Sequence, residues 1–157
     1  MASLLTLDGS HGEGGGQLLR SALTLATLQG RPFRMTRIRA GRSRPGLRPQ
    51  HLAAVRAMAR LTSGRTEGAE LESQELVFWP GAGVLADARR VDVSQLGGQP
   101  SAGSICLLLQ TMLLPLALRA GKPTQVTLVG GTHVRWSPCY HYLACLLYTS
   151  PSPRDRT

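Results

Sequence analysis

Acidic residues are absent from the whole stretch between Glu13 and Glu67, and aromatics make up only 4% of this 157-residue chain. Lysine is scarcer still: Lys122 stands alone against 17 arginines. Each shortage excludes something. With so few aromatics, the core has to be built from Leu, Val and Ala. With the one lysine followed by proline in Gly121-Lys122-Pro123, there is no Walker-type phosphate loop, which needs Ser or Thr directly after its lysine. The three cysteines, Cys106, Cys139 and Cys145, lack metal-ligand spacing and are odd in number, which fits a reducing compartment. The longest apolar run, Ile105 to Leu118, is broken by Gln110 and Pro115 and is too short to span a bilayer. Met1 to Leu7 is too short and lacks the basic start of a signal peptide. The expectation is a soluble, cytoplasmic chain, long enough for one domain with its own core.

What the chain has is positive charge in one place. The net charge is +9, and 11 arginines fall between Gly14 and Thr66 with no acid among them. Seven of these lie between Arg31 and Arg48. A GC-rich genome also produces arginine excess, so the distribution is more telling than the total. A solvated surface normally mixes signs; a one-sign block favours a polyanion, either nucleic acid or nucleotide phosphate. A bland basic surface is the competing reading.

The second positive feature is Leu7-Asp8-Gly9-Ser10-His11-Gly12-Glu13-Gly14-Gly15-Gly16-Gln17-Leu18-Leu19-Arg20. A short apolar run stops at Asp-Gly, glycines surround one carboxylate, and a helical apolar pattern begins at Leu18. This reads as strand, glycine loop, helix. Such a loop lets backbone N–H groups approach a ligand, and the helix start favours an anion. Gln17 occupies the place of the third glycine of a dinucleotide fingerprint, so that motif is excluded. A glycine turn that merely packs tightly is the alternative.

Along the chain, Gln17 to Leu28 reads as a helix closed by Gly30 and Pro32. Phe33 to Ile38 reads as a strand, Ala40 to Leu47 as a Gly/Pro/Arg loop, and Pro49 to about Leu61 as a second helix. Glu75 to Trp79 and Arg90 to Val93 read as strands. Ala102 to Leu118 is then helical, and Gln125 to Val129 is a strand. The helix, Gly-x-Pro, strand, glycine order recurs at a spacing of 91 residues, from Gly30 to Gly121. This predicts an internal repeat of an α/β unit with strand order β-α-β-α-β-β. Unit one covers about 4–93 and part of a second unit about 94–144.

The end of the chain differs. Cys145 to Asp155 resembles, codon by codon, the in-frame translation of a transposase-type sequencing adapter. Residues 145–157 are therefore expected to be a non-native, disordered tail that cuts short a helix starting near Pro138. On that reading a C-terminal part of the protein is missing.

Together these runs resemble the RNA 3′-terminal phosphate cyclase family. The resemblance is carried by Leu7-Asp8-Gly9 with Gly12 to Arg20, by Ile38 to Leu52, by Glu67 to Leu71, by Ser101 to Ser104 with Gln110, and by Gly130-Gly131-Thr132. It covers Leu4 to about Tyr142. It implies repeated βαβαββ units with helices packed on four-stranded sheets, and ATP-dependent conversion of RNA 3′-phosphate ends to 2′,3′-cyclic phosphates through adenylylated intermediates. It also implies ATP and a divalent metal, Mg or Mn. By the same resemblance Glu13 is a metal ligand, and Gln17, Arg20, Arg39, Arg42 and Gln50 line the phosphate site, with the three arginines in the catalytic role. Gln110 and Pro138 match ATP-contact positions; for Gln110, a satisfied polar group in an apolar helix is the rival reading. The family's nucleophilic histidine belongs to a C-terminal region beyond this chain, so His11, His51, His133 and His141 are not candidates for it. His51, at a helix start, reads as a capping contact. His141 stands where the family usually has Asp. Two other functions remain: a non-catalytic relative acting in ribosomal RNA processing, and a basic RNA-binding module.

Overall fold

The computed structural model describes residues 3–85, 89–98 and 103–148. The fold is α/β. Its first unit runs β1 (Leu5–Asp8), α1 (Gly16–Gln29), β2 (Phe33–Thr36), α2 (Pro49–Thr62), β3 (Arg65–Glu67) and β4 (Leu76–Trp79). The four strands form one sheet in the order β1-β2-β4-β3, with β1 parallel to β2 and the other pairs antiparallel. The βαβ crossover through α1 is what allows the parallel pair.

Local chemistry sets the element ends. α1 stops at Gly30, which takes the left-handed conformation (φ 63°) and donates its N–H to the carbonyl of Ala26; Pro32 prevents resumption. α2 starts at Pro49, whose missing N–H costs nothing at a helix start. β2 ends at Thr36, two residues before the expected limit at Ile38. Arg37 turns left-handed (φ 52°), and its guanidinium pairs with Asp8. β3, a three-residue strand with the polar sequence Arg-Thr-Glu, carries no apolar alternation that would announce it.

The alternation of β2 and β4 puts Phe33, Met35, Leu76 and Phe78 on one face, all fully buried. That face packs beneath α1 and α2 through Leu19, Leu23, Leu52, Val55 and Met58. Phe33 and Phe78 sit opposite each other in register, ring centroids 5.9 Å apart. The only two phenylalanines thus meet at the centre of the core.

The second unit comprises β5 (Arg89–Asp92), a one-turn helix α3 (Val93–Leu96), α4 (Ile105–Arg119), β6 (Val126–Val129) and α5 (Tyr140–Tyr148). β5, expected from the sequence as the last strand of unit one at about 4–93, lies outside the four-stranded sheet because it pairs with β6. β5 pairs in parallel with β6, as β1 does with β2. α5 starts as far beyond α2 as Gly121 lies beyond Gly30, so the sequence repeat is matched by a repeat of elements. α3 is the addition: Asp92 caps it by accepting the Ser94 N–H at 3.0 Å. The equivalent helices α1 and α4 pack together, with Thr24 Oγ1 donating to the Thr111 carbonyl at 2.9 Å.

α5 corrects one expectation. It continues through Cys145 to Tyr148, so four residues assigned to a disordered tail are helical. The physical reason is that no Gly or Pro interrupts Tyr140 to Tyr148. Residues 149–157 lie outside the described ones. No described helix is long and apolar enough to cross a membrane.

Candidate functional site

The amino ends of three helices open onto one cleft of about 780 Å³. α1 contributes Gly15, Gly16, Gln17 and Arg20; α2 contributes Gln50 and His51; α4 contributes Ser104 and Leu107. Helix amino ends carry partial positive charge and free N–H groups. The cap of α1 is Gly15, with no side chain to satisfy those groups. The loop between β2 and α2 adds Arg39 and Arg42, and the loop between β6 and α5 adds Arg135, Trp136 and Ser137. These loops follow equivalent strands of the two units and line the same cleft. Among the described residues, Glu13 is the one acid on its walls.

Arg20 is the deepest cation. It is 9% exposed, and burial holds its pKa below the ordinary arginine value. One guanidinium nitrogen donates to Gln17 Oε1 at 3.0 Å, while Nε is buried without a hydrogen-bond partner. A buried, charged donor left unsatisfied is costly, and an anion in the cleft would supply the missing acceptor. Gln17 in turn donates to Ser21 Oγ at 3.2 Å, so it orients Arg20 from behind.

His51 stands beside Arg20. Its Nδ1 accepts the Arg48 N–H at 3.2 Å, closing the capping interaction expected of it and placing the ring hydrogen on Nε2. Burial, followed by the nearby Arg39, Arg20 and Arg48, pushes its pKa down to about 3. The imidazole is therefore neutral at physiological pH, with Nε2–H as its one donor group. Gly16 makes room for this arrangement. A Cβ there would overlap His51 Nε2 and lie 3.0 Å from Arg20 Nη1, filling the cleft floor.

The depressed His51 pKa fixes a pH dependence. Between pH 6.5 and about 3 the unfolded chain binds a proton at His51 that the folded chain does not, so stability falls as pH drops through that window. The expected loss is on the order of a few kcal/mol. A His51→Gln variant should show a flatter urea-midpoint profile between pH 6.5 and 4 than the parent; identical profiles would remove His51 as the cause. Asp8, held down at about 2 by hydrogen bonds from Ser10 and then by Arg37, acts at lower pH.

Arg39 has a left-handed backbone (φ 56°). It ties its loop together by donating to the carbonyls of Arg44 at 2.7 Å and Gly46 at 3.2 Å. Burial, then Arg42 and Arg48, lower its pKa. Arg42 pairs with Glu13 at 3.0 Å across the cleft mouth, where the Glu13 side chain is 90% exposed. Gln50 has a different position from a free phosphate ligand. Its Nε2 donates to the Ser104 carbonyl at 3.1 Å, and its Oε1 accepts the Ser104 N–H. Both ends of the amide are used to fix the start of α4 against α2.

Six of the residues singled out from sequence thus meet: Glu13, Gln17, Arg20, Arg39, Arg42 and Gln50. Pro138 follows Ser137, which is on the wall, without lining the cleft itself. Gln110 is not brought in; it is exposed on α4. Ser104, Ser137, Arg135 and Trp136 were not singled out. The repeat could have found the last three, since it equates their loop with the one carrying Arg39 and Arg42.

A family model described as RNA 3′-terminal phosphate cyclase matches residues 11–150. The chain belongs to that family. It is similar to proteins named RNA 3′-terminal phosphate cyclase from Nostoc punctiforme (51% identity over 140 residues) and Methylococcus capsulatus (52% over 141). The matches cover 89% and 90% of this chain, and 40% and 39% of those relatives. One from Pyrococcus furiosus is 44% identical over 89% of the chain and 39% of its own length. The chain thus spans about two-fifths of the length of the curated relatives it matches.

Proposed function

We propose that the cleft binds the terminal phosphate of an RNA 3′ end, and that the protein acts in ATP-dependent cyclisation of that end to a 2′,3′-cyclic phosphate. The observation that carries this reading is the buried, unpartnered Nε of Arg20, at the meeting point of three helix amino ends. A phosphate there has an acceptor for every donor on offer: the Arg20 fork, the His51 Nε2–H and the free N–H groups of α1. ATP would supply the activating adenylyl group, turning a poor leaving group into a good one. The role of this chain's residues is to hold the phosphate still and neutralise its charge. Arg20 and His51 would fix it from the floor, and Arg39 and Arg42 from the side.

The donor set also bears on a metal. Among the described residues there is no group of three or more His, Cys, Asp or Glu able to cage one. Glu13 alone, beside bound phosphate oxygens, suits Mg²⁺, which keeps most of its waters and takes one or two carboxylates plus phosphate. Glu13 would leave Arg42 to do so, freeing that guanidinium for phosphate. The presence of Glu13, Arg20, Arg39 and Arg42 around one cleft favours the enzyme over a non-catalytic relative.

The test is binding of fluorescent single-stranded oligoribonucleotides with a 3′-phosphate or a 3′-hydroxyl. The 3′-phosphate is expected to bind at least about a hundredfold tighter. Its log-log salt slope should be steeper than about −2, the value for roughly three neutralised phosphates. Equal affinity for the two ends would reduce the chain to a basic RNA-binding module.

A further inference from the structure

The chain is poor in aromatics, yet Trp136, Tyr140, Tyr142 and Tyr148 fall within one short segment, and all four are exposed. Trp136 is the extreme case, at 88% exposed, and it sits on the wall of the arginine cleft. Its backbone is left-handed (φ 64°), which for a bulky side chain is an outlier. It occupies the third place of a turn closed by the Ser137 N–H donating to the Val134 carbonyl at 3.2 Å, a place that Gly or Asn fills without strain when φ is positive. Burial explains neither the side chain nor the strain. Strained backbone of this sort is held at sites that use it. The Arg135 guanidinium lies 5.2 Å from the indole centroid, so the ring is flanked by a cation. An exposed ring with a neighbouring arginine, on the wall of a cationic groove, is the arrangement that binds single-stranded nucleic acid by stacking.

We propose that Trp136 is a stacking platform for a nucleobase of the RNA strand whose 3′-phosphate enters the cleft. This rests on the reading of the cleft as a 3′-phosphate site. Arg20 and His51 form the buried floor, and Trp136 stands exposed at the mouth. A nucleotide anchored by its phosphate on the floor must carry its base outward, toward the mouth. Stacking is indifferent to base identity because every base has a π-face, so the platform places the end of any strand without selecting its sequence. Trp136 is a positioning residue, acting on the base while the arginines act on the phosphate.

The experiment measures binding of four probes to the 157-residue chain and to its Trp136→Ala, Trp136→Phe and Arg20→Ala variants. The probes are an oligoribonucleotide with a 3′-phosphate, the same strand with an abasic site at its last nucleotide and a second at the next, ATP, and inorganic phosphate. Circular dichroism verifies that each variant is folded. Trp136→Ala is expected to weaken the intact 3′-phosphate strand roughly tenfold. It should leave inorganic phosphate and the abasic strand unchanged, and Trp136→Phe should restore most of the loss. Equal affinity of parent and Trp136→Ala for the intact strand overturns the proposal. An equal loss for intact and abasic strands also overturns it, because the indole would then act on the backbone. A loss seen only with ATP assigns the ring to adenine and overturns the RNA assignment. A change in self-association by light scattering, without a change in RNA binding, makes Trp136 a protein contact and overturns it too. If Trp136→Ala weakens binding and Arg20→Ala does not, the platform stands and the phosphate assignment fails. The converse leaves the phosphate site standing and removes the platform.

Discussion

Replacing Arg20 with alanine is expected to weaken binding of a 3′-phosphorylated oligoribonucleotide about a hundredfold, with the helix content unchanged. The magnitude follows from where the guanidinium sits. A hydrogen bond to a charged group contributes about 1.5–3 kcal/mol, and a hundredfold is about 2.8 kcal/mol. Arg20 is 9% exposed with an unpartnered Nε, so its interaction with an anion is little screened by water. Arg34 is the control. It lies exposed on the sheet, paired with Glu75 at 2.8 Å, and Arg34→Ala removes the same formal charge. Its loss should be less than threefold, since exposed pairs contribute little. Arg20→Lys should recover only a small part, because an ammonium cannot present two parallel donors to one phosphate. The measurement is fluorescence anisotropy at one fixed salt concentration. Equal losses for the Arg20 and Arg34 variants would mean that net charge alone binds the strand.

Phe78→Ala is expected to cost about 4 kcal/mol of folding stability, from the range for Phe to Ala in a core. Phe78 is fully buried and opposes Phe33 across β2 and β4. Apart from Phe33, its cross-strand partner, the core is built of Leu, Ile, Val, Met and Ala, so no second ring is at hand to fill the space. The loss is a large fraction of the 5–15 kcal/mol typical of a domain, and should lower Tm by roughly 10 °C at this size. Phe33→Leu, which keeps much of the volume, should cost under half as much. Binding of the 3′-phosphate strand by Phe78→Ala should fall only in proportion to the fraction unfolded, because Phe78 does not line the cleft. A Tm within 2 °C of the parent would show that the sheet is not the centre of the core.

The α1, α2 and α4 helices were legible in the sequence because each carries a helical apolar period and an end signal: Gly30 and Pro32, Pro49, Gly121 and Pro123. The family was legible for another reason. Its motifs are glycine and arginine loops, whose residues are set by ligand contact and backbone shape, and such runs survive as readable strings. The arginine-only stretch was legible as a one-sign block, and three of its arginines, Arg20, Arg39 and Arg42, line the cleft. β3 was not legible, because three polar residues carry no periodicity. Neither was the helical state of Cys145 to Tyr148, because a codon-by-codon resemblance to an adapter carries no information on backbone conformation.

By itself, then, the sequence determined the α/β class, the repeat, the family and the one-sign arginine block, all properties of local pattern and composition. Tertiary structure decided which residues share the cleft. Gln50, a phosphate-site residue by resemblance, lines the cleft with both ends of its amide held by Ser104, while Gln110, on a matching motif, lies exposed on α4. His51 is held neutral by burial first and then by three nearby arginines, and Trp136 reached the arginine cleft through the packing of two repeated units. Such facts depend on contacts between residues distant in the chain, and pairwise distance and burial have no signature in a linear string.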